Sequence, residues 1–227
     1  MPSGADLLGL DNVGLAVSDP VATATFLCRH VGMHELDRRP GRVVVGAADR
    51  AATLTLVAAD EPREAGTLRR LILRVADVGR AVAALPAQTA VEGDQLELAS
   101  FEGPEGLCLG FTLVAGGGID YDIDHVLLRV CDPEQTRVAL AEVGFVPRAQ
   151  ALHVADKYIG LASAPGCTAR SLLDHVAVRV ASLDAVAATA RERSLEIDER
   201  APDGALGVVL PGPEQIRVHF VERTSRE

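Results

Sequence analysis

An α+β fold of four βαβββ modules, paired into two open, cup-shaped barrels, follows from three observations. The chain repeats itself at a spacing of about 50 residues, and four openings line up: LDNVGLAVSD from Leu10, LRRLILRVAD from Leu68, IDHVLLRVCD from Ile123 and LDHVAVRVAS from Leu173. Each opening is a β-branched run that ends in a helix-capping Asp or Ser. The ends repeat too, as GPEGLCLGF at Gly103 to Phe111 and GPEQIRVHF at Gly212 to Phe220.

Each element then follows in order. Apolar residues at helical spacing after each opening predict helices over Pro20–Val31, Val78–Leu85, Pro133–Val143 and Leu183–Arg193. Short strands separated by turn residues complete each unit. The glycine-rich segment Ala115–Asp120 reads as a linker, which divides the chain into residues 1–115, a metal-free module pair, and residues 119–227, a pair carrying a metal site. A lone βαβββ unit leaves one sheet face bare, so two units must pair and roll into a cup. Pairing within the chain suits four modules, with a homo-oligomer as the alternative.

Strand alternation assigns the faces. Val126, Leu128 and Val130 form one apolar face and leave His125, Leu127 and Arg129 in the cup; Val176, Val178 and Val180 do the same against His175, Ala177 and Arg179. In the closing strand Val218 and Phe220 pack on helices while Arg217, His219 and Val221 face inward. At the third residue of the opening strand the modules carry Asn12, Arg70, His125 and His175, and at the matching closing position Gly110 and His219. Three imidazoles at equivalent inward positions of one half, His125, His175 and His219, predict a mononuclear metal site. A lone inward His is more often a satisfied core residue; the repetition is what favours ligation. His30 and His34 flank a helix end and read as solvated. Arg129 and Arg179 are candidates for an anionic group of a substrate, against the plain alternative of surface residues.

With 48% hydrophobic and 24% charged residues the chain can bury a large core, and a net charge of −10 with no basic stripe argues against nucleic acid. No apolar run of membrane-spanning length and no leader-like start is present, which points to the cytoplasm. Cys28, Cys108, Cys131 and Cys167 never form CxxC and read as small apolar residues.

The opening LDNVGLAVSDPVATATFLCRHVGM, the segment LHVADKYIGLA (Leu152 to Ala162) and the two DHV strands resemble the type I extradiol ring-cleavage dioxygenases of the vicinal oxygen chelate superfamily, which includes glyoxalase I and bleomycin-resistance proteins. The resemblance spans the chain in module order. It implies an inactive first pair of modules and an Fe(II) site in the second, with zinc, manganese or nickel as alternatives. Its ligand positions fall on His125, His175 and His219, the last replacing a family Glu. The family's acid/base His falls on Ile159 beside Tyr158, and its substrate-binding Tyr on Val209.

An imidazole in place of a carboxylate makes the metal a poorer electron donor to O2, and a missing base removes a group worth about 10²–10⁴-fold. The resemblance therefore implies a metal-dependent oxidoreductase acting on a small catechol-type substrate with altered activity. His153 and Tyr158 would be its replacement catalytic groups and Arg129 and Arg179 its substrate contacts. The rival reading is a non-catalytic protein that binds or sequesters a small ligand.

Overall fold

The computed structural model describes residues 6–48, 51–93, 97–113, 118–164, 170–202 and 204–222. Residues 115–117 of the expected linker, and Cys167, lie outside the described residues.

All four modules run strand, helix and three strands. The first is β1 (Leu7–Val17), α1 (Pro20–Phe26), β2 (His34–Arg39), β3 (Arg42–Gly46) and β4 (Thr53–Ala58); the second is β5 (Leu68–Val75), α2 (Val78–Ala83), β6 (Val91–Gly93), β7 (Leu98–Glu102) and β8 (Cys108–Leu113). The third comprises β9 (Asp122–Val130), α3 (Pro133–Glu142), β10 (Val146–Arg148), β11 (Ala151–Val154) and β12 (Lys157–Ser163). The fourth comprises β13 (Leu173–Val180), α4 (Leu183–Glu192), β14 (Glu196–Ile197), β15 (Ala205–Val209) and β16 (Arg217–Glu222).

The helices start where the sequence predicts because the side chains of Asp19, Asp77, Asp132 and Ser182 accept hydrogen bonds from first-turn amides. Helix α1 continues through a wider π turn, Leu27–Val31, and stops at Gly32 with φ 85°. A Cβ on Gly32 would lie 2.7 Å from the Tyr121 ring, so both the left-handed turn and the close approach require glycine there. Among the described residues, no helix is long and apolar enough to cross a membrane.

The sheets pair the modules differently from the expected division at residues 115 and 119. One eight-stranded sheet has the order β14-β15-β16-β13-β1-β4-β3-β2, and the other β10-β11-β12-β9-β5-β8-β7-β6. Modules one and four thus share a sheet, joined by antiparallel β1 and β13, and modules two and three share the other through β5 and β9. The physical reason is that every opening strand leaves one edge unpaired within its own module. All four openings alternate alike, so side-chain pattern does not select the partner.

The face assignments hold. Val126, Leu128, Val130, Val176, Val178, Val180, Val218 and Phe220 are fully buried in an apolar core, each contributing about 1.5–3 kcal/mol. Helix α1 packs on β3 and β4, and α4 on β15 and β16. The opposite faces form two cups. Asp122 ties the sheets together: its Oδ2 meets Lys157 Nζ in a buried ion pair within its own sheet, while its Oδ1 accepts from Ala52 N, next to β4 of the other, at 3.1 Å.

Candidate functional site

In the module two–three cup, register places Ile72, His125, Tyr158 and His153 in one row across β5, β9, β12 and β11. The His125 ring stacks on Tyr158, centroids 4.2 Å apart and planes within 12°, and His153 leans on the other side at 5.5 Å and 34°. Asp124 Oδ2 lies 2.7 Å from His125 Nδ1. A carboxylate only accepts, so Nδ1 carries the proton of this hydrogen bond. Arg74 bridges Asp124 at 3.0 Å and Asp156 at 2.8 Å. Burial raises the Asp124 carboxyl, but the hydrogen bond and charge from His125, with Arg74, outweigh it and hold the pKa below its ordinary value. Burial, then the Asp124 charge, raises the Tyr158 phenol, which therefore stays protonated as a donor.

Beside this row lies a cavity of about 390 Å³ lined by Leu127, His153, Tyr158 and Gly160, with Arg69 and Arg148 among its walls. Gly160 is required there: a Cβ would sit 2.4 Å from Leu127 Cδ2.

In the module one–four cup, the row across β4, β1, β13 and β16 reads Thr53, Asn12, Ala177 and His219, and the next reads Thr55, Gly14 and His175. His175 lies over Gly14, where a Cβ would come within 2.3 Å of the imidazole. The two imidazoles stack at 4.2 Å and 17°. Asp174 Oδ2 takes His175 Nδ1 at 2.9 Å, and Asp198 Oδ2 takes His219 Nε2 at 2.7 Å. Arg217 sits between the two carboxylates, 3.5 Å from Asp174 and 3.6 Å from Asp198.

Burial, then the neighbouring His175, depresses the His219 pKa, so the ring is neutral at pH 7 and Nδ1 bears a lone pair. The hydrogen bond from His175 is the largest cause holding the Asp174 carboxyl below its ordinary value. Asn12 Nδ2 donates to the hydroxyls of Thr53 and Thr55, both at 2.7 Å. Asn12 Oδ1 and His219 Nδ1 are buried with no partner among the described residues, each at a penalty of about 1–3 kcal/mol.

The structure therefore separates the three expected metal ligands. His125 belongs to one cup, with Tyr158 and His153, whereas His175 and His219 belong to the other. This corrects the predicted three-histidine site, and its cause is the module pairing. The residues do not fit a metal on geometric grounds either. Each imidazole has one nitrogen engaged by a carboxylate, and the His175 and His219 rings are nearly parallel, so their in-plane lone pairs do not meet at one point about 2.1 Å from both. Among the described residues, no group of three or more His, Cys, Asp and Glu is arranged to hold a metal ion.

The Arg179 guanidinium lies against Gly9, donates to Leu10 O at 3.2 Å and stands 3.9 Å from Asp11, while Arg129 is exposed. Neither is among the residues lining the 390 Å³ cavity. Sequence reasoning did not single out Asp124, Asp174, Asp198 or Asn12 as functional. The repeated Asp-His dipeptide was a visible signal for the first two.

Residues 9–106 match the family described as the Glyoxalase/Bleomycin resistance protein/Dioxygenase superfamily. Among solved structures, a glyoxalase I variant from Zea mays is 17% identical with a TM-score of 0.70, covering 96% of this chain and 94% of that one. The cppA protein from Streptococcus pneumoniae is 15% identical with a TM-score of 0.64, covering 96% of this chain and 99% of that one. TnmS3, an antibiotic-binding protein from Streptomyces, is 27% identical over 47% of this chain and 95% of its own, with a TM-score of 0.40. No curated protein sequence matches the chain.

Proposed function

From the match of residues 9–106 to the glyoxalase/bleomycin resistance/dioxygenase superfamily we propose that the chain is a member that binds a small planar organic molecule bearing an acidic oxygen, without a metal. The ligand occupies the module two–three cup. The observation that carries this reading is the His125–Tyr158–His153 stack beside a cavity of about 390 Å³. That volume falls in the lower part of the range of about 300–1,000 Å³ usual for small-molecule sites. An aromatic ring of the ligand lies against Leu127 and the exposed part of the stack. The Tyr158 hydroxyl donates to a ligand oxygen, and Arg69 or Arg148 takes the charge. Iron-dependent catechol cleavage loses its main support, because the three imidazoles it would require are divided between two cups.

A second reading keeps the same ligand and adds proton transfer. Asp124 orients His125 through Nδ1, which leaves Nε2 as the nitrogen that would exchange a proton with the bound molecule. The experiment is calorimetric titration of EDTA-treated and Fe(II)-loaded protein with catechol and 2,3-dihydroxybenzoate, with O2 uptake followed in parallel. Saturable binding without metal, weakened about tenfold or more in Tyr158→Ala, supports the proposal. Binding that requires iron, accompanied by yellow ring-fission product, overturns it.

A further inference from the structure

We propose that the cup formed by β1, β4, β13 and β16 is a second, separate ligand site, which takes a neutral organic molecule through its N–H or O–H donors. The inference starts from two acceptor atoms for which the described residues supply no donor, Asn12 Oδ1 and His219 Nδ1. Both residues are more than nine-tenths buried, at 7% and 3% exposure. They flank Ala177 on neighbouring strands of one face. Adjacent strands lie about 4.8 Å apart, so two acceptors project from either side of a floor no larger than a methyl group.

Their polarity is fixed by their neighbours. The Thr53 hydroxyl donates to Asp11 O, so it accepts from the Asn12 amide nitrogen and leaves Oδ1 as the open end. The carboxylate of Asp198 fixes the proton of His219 on Nε2 and leaves Nδ1 as an acceptor. Two open acceptors beside three carboxylates, Asp11, Asp174 and Asp198, disfavour a carboxylate or phosphate. The nearby cations do not reverse this, because Arg217 is engaged by Asp174 and Asp198, while Arg179 donates to Leu10 O and stands 3.9 Å from Asp11, with only its Nε buried and unpartnered among the described residues.

A metal would be the usual reader of imidazole lone pairs, but the stacked rings do not aim their nitrogens at one point. A donor-bearing molecule needs no common point, since each N–H or O–H meets its own acceptor. His175, with 14% of its side chain exposed against 4% for His219, is the outer ring and the one that must swing to admit the ligand. It rests on Gly14, where no side chain obstructs its movement.

The test uses the full chain labelled with ¹⁵N-histidine and a size-matched pair of probes, benzamide as neutral donor and benzoate as anionic acceptor. Benzamide is expected to move the His219 Nδ1 resonance saturably while benzoate leaves it in place. Asn12→Ala should weaken the benzamide response about tenfold, as the loss of one buried hydrogen bond. The His125 resonances report the other cup, so benzoate moving only those is the result expected there and leaves the two sites distinguishable. Benzoate moving His219 as strongly as benzamide, no response of His219 to either probe, or stoichiometric Zn²⁺ alone perturbing both His175 and His219 would each overturn the proposal.

Discussion

Replacing Lys157 by Met tests the joint between the sheets. The Lys157 and Asp122 side chains are each only 6% exposed, and they form an ion pair at the start of β12 and β9. Asp122 also accepts from Ala52 N, in the approach to β4 of the other sheet. Met preserves most of the apolar stem and removes the ammonium group, leaving a buried carboxylate with one backbone donor. Loss of one partner of a buried pair costs about 3–5 kcal/mol. The second ion partner, Asp156 at 3.9 Å and 64% exposed, adds little because water screens it. Adding Asp122→Asn to Lys157→Met removes the stranded charge while an amide oxygen can still accept from Ala52 N. The double variant should therefore return to within about 1–2 kcal/mol of the parent. Urea unfolding followed by circular dichroism measures both, through the midpoint at constant slope. A loss below about 1 kcal/mol for Lys157→Met would refute the reasoning, since that is the value of a solvated surface pair.

Stability should fall with acidification from near pH 6.5, the ordinary His value from which the His219 pKa is depressed. Below it the unfolded chain binds a proton that the folded one refuses, so stability is lost until the folded pKa is reached; melting temperature from pH 8 to pH 5 measures this, and a profile flat through pH 6 contradicts it. The depressed Asp174 carboxyl adds a further loss only as pH falls below 3.8. Gly14→Ala should cost about 1–3 kcal/mol by overpacking and unstack His175 from His219, visible as altered imidazole shifts. Glu214→Ala removes the acceptor of Cys131 N at 2.5 Å and should cost about 1–3 kcal/mol by thermal unfolding; the same change at its half-buried counterpart Glu105, whose hydrogen bond from Ser18 N at 2.7 Å is exposed, should cost less.

The fold was legible because each module announces itself by a capping residue and a period-2 face. Asp19, Asp77, Asp132 and Ser182 place the helix starts, and Val126, Leu128 and Val130 name a core face that the structure buries. Which residues face inward was legible by the same alternation. Which cup they face was not, because it depends on the free edges of β1, β5, β9 and β13. Those edges pair through backbone groups that every residue carries. His125 and His175 occupy equivalent positions of consecutive modules and yet line different sheets for that reason. His153 and Tyr158 come together because β11 and β12 form a local hairpin, whose pairing involves few residues and no choice of module.

The repeat contact made by Glu105 and Glu214 explains how the chosen pairing is held. Both follow the same Gly-Pro turn, and each reaches the end of the opening strand of another module: Glu105 binds Ser18 and Asp19 of module one, Glu214 binds Cys131 of module three. Each contact crosses from one sheet to the other. Together with the Lys157–Asp122 joint they fix the sheets to each other without using a cup-facing side chain, so the cups are free to differ. They do differ: facing the opening-strand histidines across the pairing register stand Ile72 in one cup and Gly14 in the other. Ile72 fills the space beside His125, whose ring stacks on Tyr158, whereas the empty space over Gly14 is taken by the His175 ring, which stacks on His219. One duplicated Asp-His strand thereby yields an aromatic wall in one cup and a covered row of acceptors in the other.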